Sequence, residues 1–200
     1  KMPENSVDCC ITSPPYDNLR DYKGFTFDFN GVASEIFRII SQGGVCVWVV
    51  GDAVIDGSET GTSFRHALYF KDLGFNLHDT MIYKKVNPIP LTHNRYEQYF
   101  EYMFVFSKGK PKTINFLIDR KNKYPERWGA GRVVRERDGS LTGRDNYKPN
   151  EMGRRFNIWR FNSGFGYSSK DVISFEHPAT FPEKLAADHI YTWSNEGDLV

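Results

Sequence analysis

Val45-Cys46-Val47-Trp48-Val49-Val50 is an unbroken apolar run set between Gly43-Gly44 and Gly51. It lacks the alternation of a half-exposed strand, so it reads as a strand buried on both faces. A strand of that kind needs cover on both sides, which helices linked to parallel strands supply. The surrounding chain agrees. Val7-Asp8-Cys9-Cys10-Ile11-Thr12 is a second short strand, stopped where Ser13-Pro14-Pro15 removes ladder donors. Val32, Ile36, Ile39 and Ile40 have helical spacing over residues 32–41, and Gly43-Gly44 is expected to end that helix. A second helix is predicted over 63–73, ending at Gly74, followed by β-rich stretches at 75–84 and 101–107. A last helix over 182–193 opens on Pro182 and sets Leu185, Ile190 and Trp193 near one face. This order predicts an α/β sheet, mostly parallel, with an antiparallel strand at its end.

At 200 residues and 40% apolar content, the chain can build one core and carry an insertion. No apolar run approaches the roughly 18 to 20 residues that cross a bilayer, and no secretory signal opens the chain, so the cytoplasm is the expected compartment. Cys9, Cys10 and Cys46 lie inside strand-like runs without the spacing of a metal site, and are expected to be reduced core residues. Five histidines likewise show no metal-binding spacing, so no metal is expected. Asp52 and Asp56 follow a strand end and could reach a ligand, although solvated loop carboxylates are the commoner case. The closing Gly197-Asp198-Leu199-Val200 reads as entry into another strand, as in a fragment clipped at both ends.

Charge divides the chain unevenly. Residues 108–155 hold 14 Lys or Arg against 6 Asp or Glu, a local +8 that leaves −7 for the rest of a chain with net charge +1. A basic segment on an acidic body suits a polyanionic partner, the plain alternative being a solvated loop. Periodicity fades from Gly109 to about Ser174 while aromatics such as Tyr124, Trp128, Phe156 and Trp159 recur, which argues against simple disorder. Three segments follow from this reading: 1–108 as sheet, 109–174 as an irregular inserted module, and 175–200 as the final helix with its strand lead-in.

Thr12-Ser13-Pro14-Pro15-Tyr16 stands at the carboxyl end of a buried strand, where ligand sites of open α/β sheets gather. The segment resembles motif IV of the DNA amino-methyltransferases, in which Asp, Asn or Ser precedes Pro-Pro and an aromatic residue. Further matches come in order: Gly43 to Asp52, Tyr83-Lys84-Lys85-Val86-Asn87-Pro88, the glutamate-led strand Glu101 to Lys108, and His177-Pro178-Ala179-Thr180-Phe181-Pro182-Glu183-Lys184-Leu185, which is similar to motif X. With motif IV first and motif X after a variable insert, the order resembles that of the circularly permuted beta class. The resemblance implies a Rossmann-like methyltransferase sheet, permuted and truncated before the motif I loop. It also implies S-adenosylmethionine as cofactor, held by Thr12, His177, Ala179, Thr180, Phe181 and Pro182, and duplex DNA as substrate. A cognate restriction endonuclease is a partner such enzymes can have; oligomeric state is not legible.

An exocyclic amino nitrogen is a poor nucleophile because its lone pair is delocalised into the base. Two acceptors for its protons draw it toward a pyramidal, reactive form, and Ser13 Oγ with the Pro14 carbonyl are the candidates, Pro14 and Pro15 fixing the loop. Tyr16 is expected to stack on the flipped base, with core capping as its alternative role. Arg132, Arg135, Arg137, Arg144, Arg154 and Arg155 are the expected DNA contacts. Serine at the head of the motif resembles the cytosine-N4 enzymes more than the adenine-N6 enzymes. Adenine-N6 methylation and a DNA-binding remnant without activity are the alternatives.

Overall fold

The computed structural model describes residues 1–15, 17, 26–88, 94–123, 133–143, 150–164, 166–171, 173, 180 and 182–200. They form two compact units, Lys1–Asn115 with Asn157–Val200, and Phe116–Phe156. Among them no helix is long and apolar enough to cross a membrane.

The first unit begins with β1 (Val7–Thr12), α1 (Phe29–Ile39), β2 (Ile40–Val50), and the short pair β3 (Val54–Ile55) and β4 (Ser58–Glu59). Next come α2 (Thr62–Asp72), β5 (Asn76–Lys85) and β6 (Phe100–Ser107). In the second unit β7 (Arg120–Lys121) pairs with β10 (Met152–Gly153), and β8 (Val133–Arg135) forms a hairpin with β9 (Leu141–Gly143). The chain then returns to the first unit in β11 (Ile158–Phe161) and α3 (Glu183–Trp193). It leaves at Asn115, whose N–H donates to the Thr192 carbonyl at the end of α3, and it returns at Asn157, whose carbonyl accepts from the Ile82 N–H of β5. Residues 157–161 thus belong to the sheet, so the second unit is shorter at both ends than the 109–174 module.

The main sheet has the order β1-β2-β6-β5-β11. β1 is parallel to β2 and β11 to β5, whereas β6 is antiparallel to both of its neighbours. Four strands therefore share one direction and β6 opposes them. Every residue from Val45 to Val50 is buried, as the apolar run requires. Cys46, Trp48 and Val50 join Ala33 and Ile36 of α1 and Ala67 and Phe70 of α2 in one layer. Phe70 stacks on Phe106 at 4.6 Å and meets Trp48 edge-on at 5.0 Å. A core of this kind gains from ring geometry as well as from the area removed from water.

α3 covers the opposite face. Its buried stripe is Leu185, His189 and Trp193, at steps of four, and not Leu185, Ile190 and Trp193: Ile190 is 38% exposed while His189 is fully enclosed. His189 stacks on Trp159 at 4.4 Å, its Nδ1 accepts from Trp193 Nε1 at 3.3 Å, and its Nε2 lies 3.4 Å from Met103 Sδ. These partners satisfy the imidazole, which is why a polar residue holds the central position.

Gly43-Gly44 does not end α1. Ile40 is already extended, with φ −62° and ψ 129°, and both glycines lie within β2. Their lack of Cβ permits close approach: at Gly44 a Cβ would come within 2.9 Å of the Ser41 carbonyl oxygen and 3.0 Å of that of Asp8. At Gly43, with φ +79°, it would meet Lys112 Cβ at 3.0 Å.

Candidate active site

Because β1, β2, β5 and β11 share one direction, their carboxyl ends line one edge of the sheet, the edge where open α/β sheets hold ligands. Thr12, the last residue of β1, stands opposite Trp48 of β2. Ser13 and Pro15 are partly buried and Pro14 is buried, so the proline rings fix a loop that is packed against the sheet. After β2, Asp52 turns to the start of α2, where its carboxylate accepts from the Ser63 N–H at 2.8 Å and the Ser63 hydroxyl at 2.5 Å. It thereby satisfies a first-turn donor of α2, whose N-cap residue is Gly61. Asp52 is committed to capping and Asp56 to the β3–β4 turn, at φ 50°.

The other end of the edge is tied in the same way. Asn87 Nδ2 donates to the Ser163 carbonyl at 2.7 Å, and Asn87 Oδ1 accepts from the Ser163 N–H at 2.8 Å, joining the segments that follow β5 and β11. Lys85 Nζ pairs with Glu101 at 2.7 Å. Burial pushes the Tyr83 hydroxyl up to about 12, and burial together with Asp52 and Glu59 raises that of Tyr102, so both phenols stay protonated.

One residue here was not legible in the sequence. Asp17, directly after the Ser-Pro-Pro-Tyr segment, is left-handed at φ 47°. Its Oδ1 accepts from the Thr62 hydroxyl at 2.6 Å, and its Oδ2 accepts from the Thr60 hydroxyl at 2.8 Å and the Ala53 N–H at 3.4 Å. Burial alone would raise its pKa, but these donors hold it below the usual carboxylate value. Only the position beside the Ser-Pro-Pro-Tyr segment could have drawn attention to it, since its partners lie far along the chain.

α3 runs against the common strand direction. Trp193, at its end, meets His78 near the amino end of β5 with ring centroids 5.5 Å apart, whereas His189, one turn earlier, packs on Trp159 and Met103 midway along the sheet. Its first turn, with Pro182 as N-cap, therefore faces the carboxyl edge, the side on which β1 ends at Thr12. Beyond α3, Leu199 lies against the start of β1: its carbonyl accepts from the Asp8 and Cys9 N–H groups, and its N–H donates to Asp8 Oδ2 at 2.9 Å. Lys112 Nζ adds a contact to Asp8 at 2.6 Å and lies 3.6 Å from Asp198.

Tyr16, His177, Ala179, Phe181, Arg132 and Arg144 lie outside the described residues. Within the second unit Arg155 is bound to Asp119, Arg154 lies over the Phe116 ring at 3.8 Å, and Arg120 lies over Phe156 at 4.3 Å. Arg135 Nη1 donates to the Gly139 carbonyl at 3.3 Å inside the β8–β9 hairpin, and Arg137 is exposed in its turn.

The family model described as DNA methylase, of the N6/N4 methyltransferases, matches residues 7–200. The chain belongs to the N6/N4 DNA methylase family. Within that family it is 56% identical to the orphan methyltransferase M.BamHII of Bacillus amyloliquefaciens, covering all of this chain and 77% of that protein. The Type II methyltransferase M.HpaI of Haemophilus parainfluenzae is 27% identical, with all of this chain and 57% of that protein covered. Among solved structures, the PvuII DNA methyltransferase (cytosine-N4-specific) matches with a TM-score of 0.61 at 16% identity, over 98% of this chain and 67% of that one. The M1.HpyAVI–SAM complex matches with a TM-score of 0.52 at 20% identity, over 96% and 70%. These two likenesses show a shared fold: an α/β methyltransferase sheet in which β6 is the antiparallel strand.

Proposed function

We propose that the full-length protein transfers a methyl group from S-adenosylmethionine to the exocyclic N4 of cytosine in duplex DNA. The observation that carries this reading is the loop Thr12–Pro15, with its buried Pro14, at the carboxyl end of β1 in a chain of this family. Serine at the head of the motif favours cytosine N4, and adenine N6 is the competing outcome.

Ser13 Oγ and the Pro14 carbonyl accept the two amino protons and draw the nitrogen toward a pyramidal form, as fixed dipoles do when they are aimed where charge changes. Tyr16 stacks on the base once it is flipped, a contact worth roughly 1 to 3 kcal/mol. Thr12, Thr180 and Pro182, with His177, Ala179 and Phe181, would hold the cofactor. Hydroxyls and a rigid apolar edge on one side of the sheet suit its ribose, amino-acid and adenine groups. When bound, the cofactor supplies an electrophilic methyl on a sulfonium. The order of the motifs, with Leu199 beside β1, supports the permuted arrangement.

The basic segment supports DNA as the partner, with Arg132, Arg135, Arg137, Arg144 and Arg154 as contacts and 109–174 as the region that reads the target. Arg155 is assigned to the structure of that unit because Asp119 already holds it. M.BamHII carries the description orphan, so a cognate endonuclease enters this reading through the Type II relatives alone. The reading gives a cytoplasmic enzyme.

The test is mass spectrometry of digested DNA methylated by the full-length enzyme. N4-methylcytosine is expected, and Ser13→Ala should lower the single-turnover rate by about 10²-fold at unchanged DNA affinity. N6-methyladenine as the sole product would overturn the cytosine assignment, and an unaffected Ser13→Ala enzyme would overturn the role of the loop.

A further inference from the structure

We propose that Asp17 is a positioning residue for methyl transfer, whose carboxylate braces the segment that follows Ser13–Pro15 against the loop before α2. The proposal rests on the function assigned above. Both Asp17 oxygens are engaged, Oδ1 by Thr62 at 2.6 Å and Oδ2 by Thr60 at 2.8 Å and Ala53 N–H at 3.4 Å. The donors come from three points of one connection, the residue before β3, the residue after β4 and the first residue of α2, so one side chain ties this connection to the segment that follows β1.

The far side of the brace is itself fixed. Thr62 is 5% exposed, and its Oγ1 also accepts from Arg65 Nη2 at 2.7 Å, while Arg65 Nη1 donates to the Thr60 carbonyl at 2.7 Å. Ser63, the next residue, is held by Asp52 at the end of β2. The anchor is therefore the amino end of α2, joined to the sheet edge by one carboxylate and to the catalytic loop by another.

The backbone supports the same assignment. Asp17 has φ 47°, a left-handed conformation that Asp and Asn visit more readily than most residues. Local backbone strain of this kind persists where the surroundings over-determine it, and here three hydrogen bonds do so. Chemistry explains the need. Ser13 Oγ and the Pro14 carbonyl act through position, and a misplacement of about 1 Å can cost roughly 10²-fold in rate. Prolines fix the loop at the β1 end, and Asp17 fixes it at the other.

The experiment uses the full-length enzyme with saturating S-adenosylmethionine and DNA. Asp17→Gly keeps the left-handed backbone and removes the carboxylate; Asp17→Asn keeps one acceptor. Thr62→Val removes the hydroxyl at nearly constant shape, and Thr62→Ser restores it. Asp17→Gly is expected to lower the single-turnover rate about 30-fold with DNA affinity within twofold of wild type, and Asp17→Asn to fall between the two. Thr62→Val should slow the wild type several-fold, Thr62→Ser should recover the rate, and Thr62→Val should have little further effect when Asp17 is already Gly. A general structural role would instead lower rate and melting temperature together and would not follow the Thr62 hydroxyl. If Asp17→Gly and Thr62→Val both turn over within twofold of wild type while Ser13→Ala is slow, the brace is wrong and the assigned function stands. If the wild type produces no methylated base, the assigned function fails and the proposal fails with it.

Discussion

Mild acidification should destabilise this protein through His66. His66 is 6% exposed on α2, stacks on Phe29 with ring centroids 3.7 Å apart, and accepts from Trp48 Nε1 at 3.2 Å. That bond requires an unprotonated Nδ1, and burial pushes the imidazole down to about 4. A histidine with a folded value of about 4 and an unfolded value of about 6.5 is protonated first in the unfolded chain, so its contribution is intact above about pH 6.5 and is lost as pH falls toward 4. The slope reaches about 1.4 kcal/mol per pH unit, which amounts to about 1.8 kcal/mol between pH 7 and pH 5. Urea unfolding at pH 7, 6 and 5 measures it, with His66→Gln as the comparison because Gln can accept from Trp48 and does not titrate. The wild-type free energy should fall by about that amount relative to the variant. Parallel pH profiles for the two proteins, or a His66 titration by NMR above pH 6, would refute the reasoning.

Two further tests address charge. Lys112→Met should cost about 0.5 to 1 kcal/mol in urea unfolding at pH 7, the range for a partly exposed pair. Hydrogen bonds from Lys112, Leu199 and Ser41 outweigh burial and lower the Asp8 pKa, so this cost should persist at neutral pH, shrink in an Asp8→Asn background where only Asp198 still faces Lys112, and fade as pH drops through the lowered Asp8 value. In the second unit, Arg137→Ala should make the salt dependence of DNA binding shallower by about one in logarithmic slope, while Arg155→Met should leave the slope alone and destabilise the unit by about 1 kcal/mol. A change of slope on loss of Arg155, with none on loss of Arg137, would reverse the roles assigned to these two residues.

The buried strands and the Ser-Pro-Pro loop were readable in the sequence because each rests on local chemistry: an unbroken apolar run, or rings that remove donors. Features set by distant partners were not. His189 occupies the central position of the α3 stripe because Trp159, Trp193 and Met103 satisfy it, and hydrophobic spacing favours Ile190 instead. Gly43-Gly44 looks like a helix stop in sequence, yet its glycines answer to the neighbouring Asp8 and Lys112. Asp17 looks like an ordinary loop carboxylate until Thr60 and Thr62 are brought to it. In the same way nothing local in the sequence links Arg155 to Asp119, 36 residues earlier, which it binds.

The two asparagines that bound the second unit anchor both of its junctions. Asn115 binds the end of α3 three times, through its N–H to Thr192 and its Nδ2 to the Tyr191 and Ser194 carbonyls, and Asn157 grips β5 through Ile82 and Thr80. All of these bonds lie within the first unit, so each junction is held by its own asparagine whatever chain is spliced between them. Chimaeras cut directly after Asn115 and rejoined directly before Asn157 keep both grips, whereas cuts at residues 109 and 174 would remove Asn115, Asn157 and β11 with the donor segment. For an engineer exchanging the segment between residues 115 and 157 among relatives, those two asparagines are the natural splice sites.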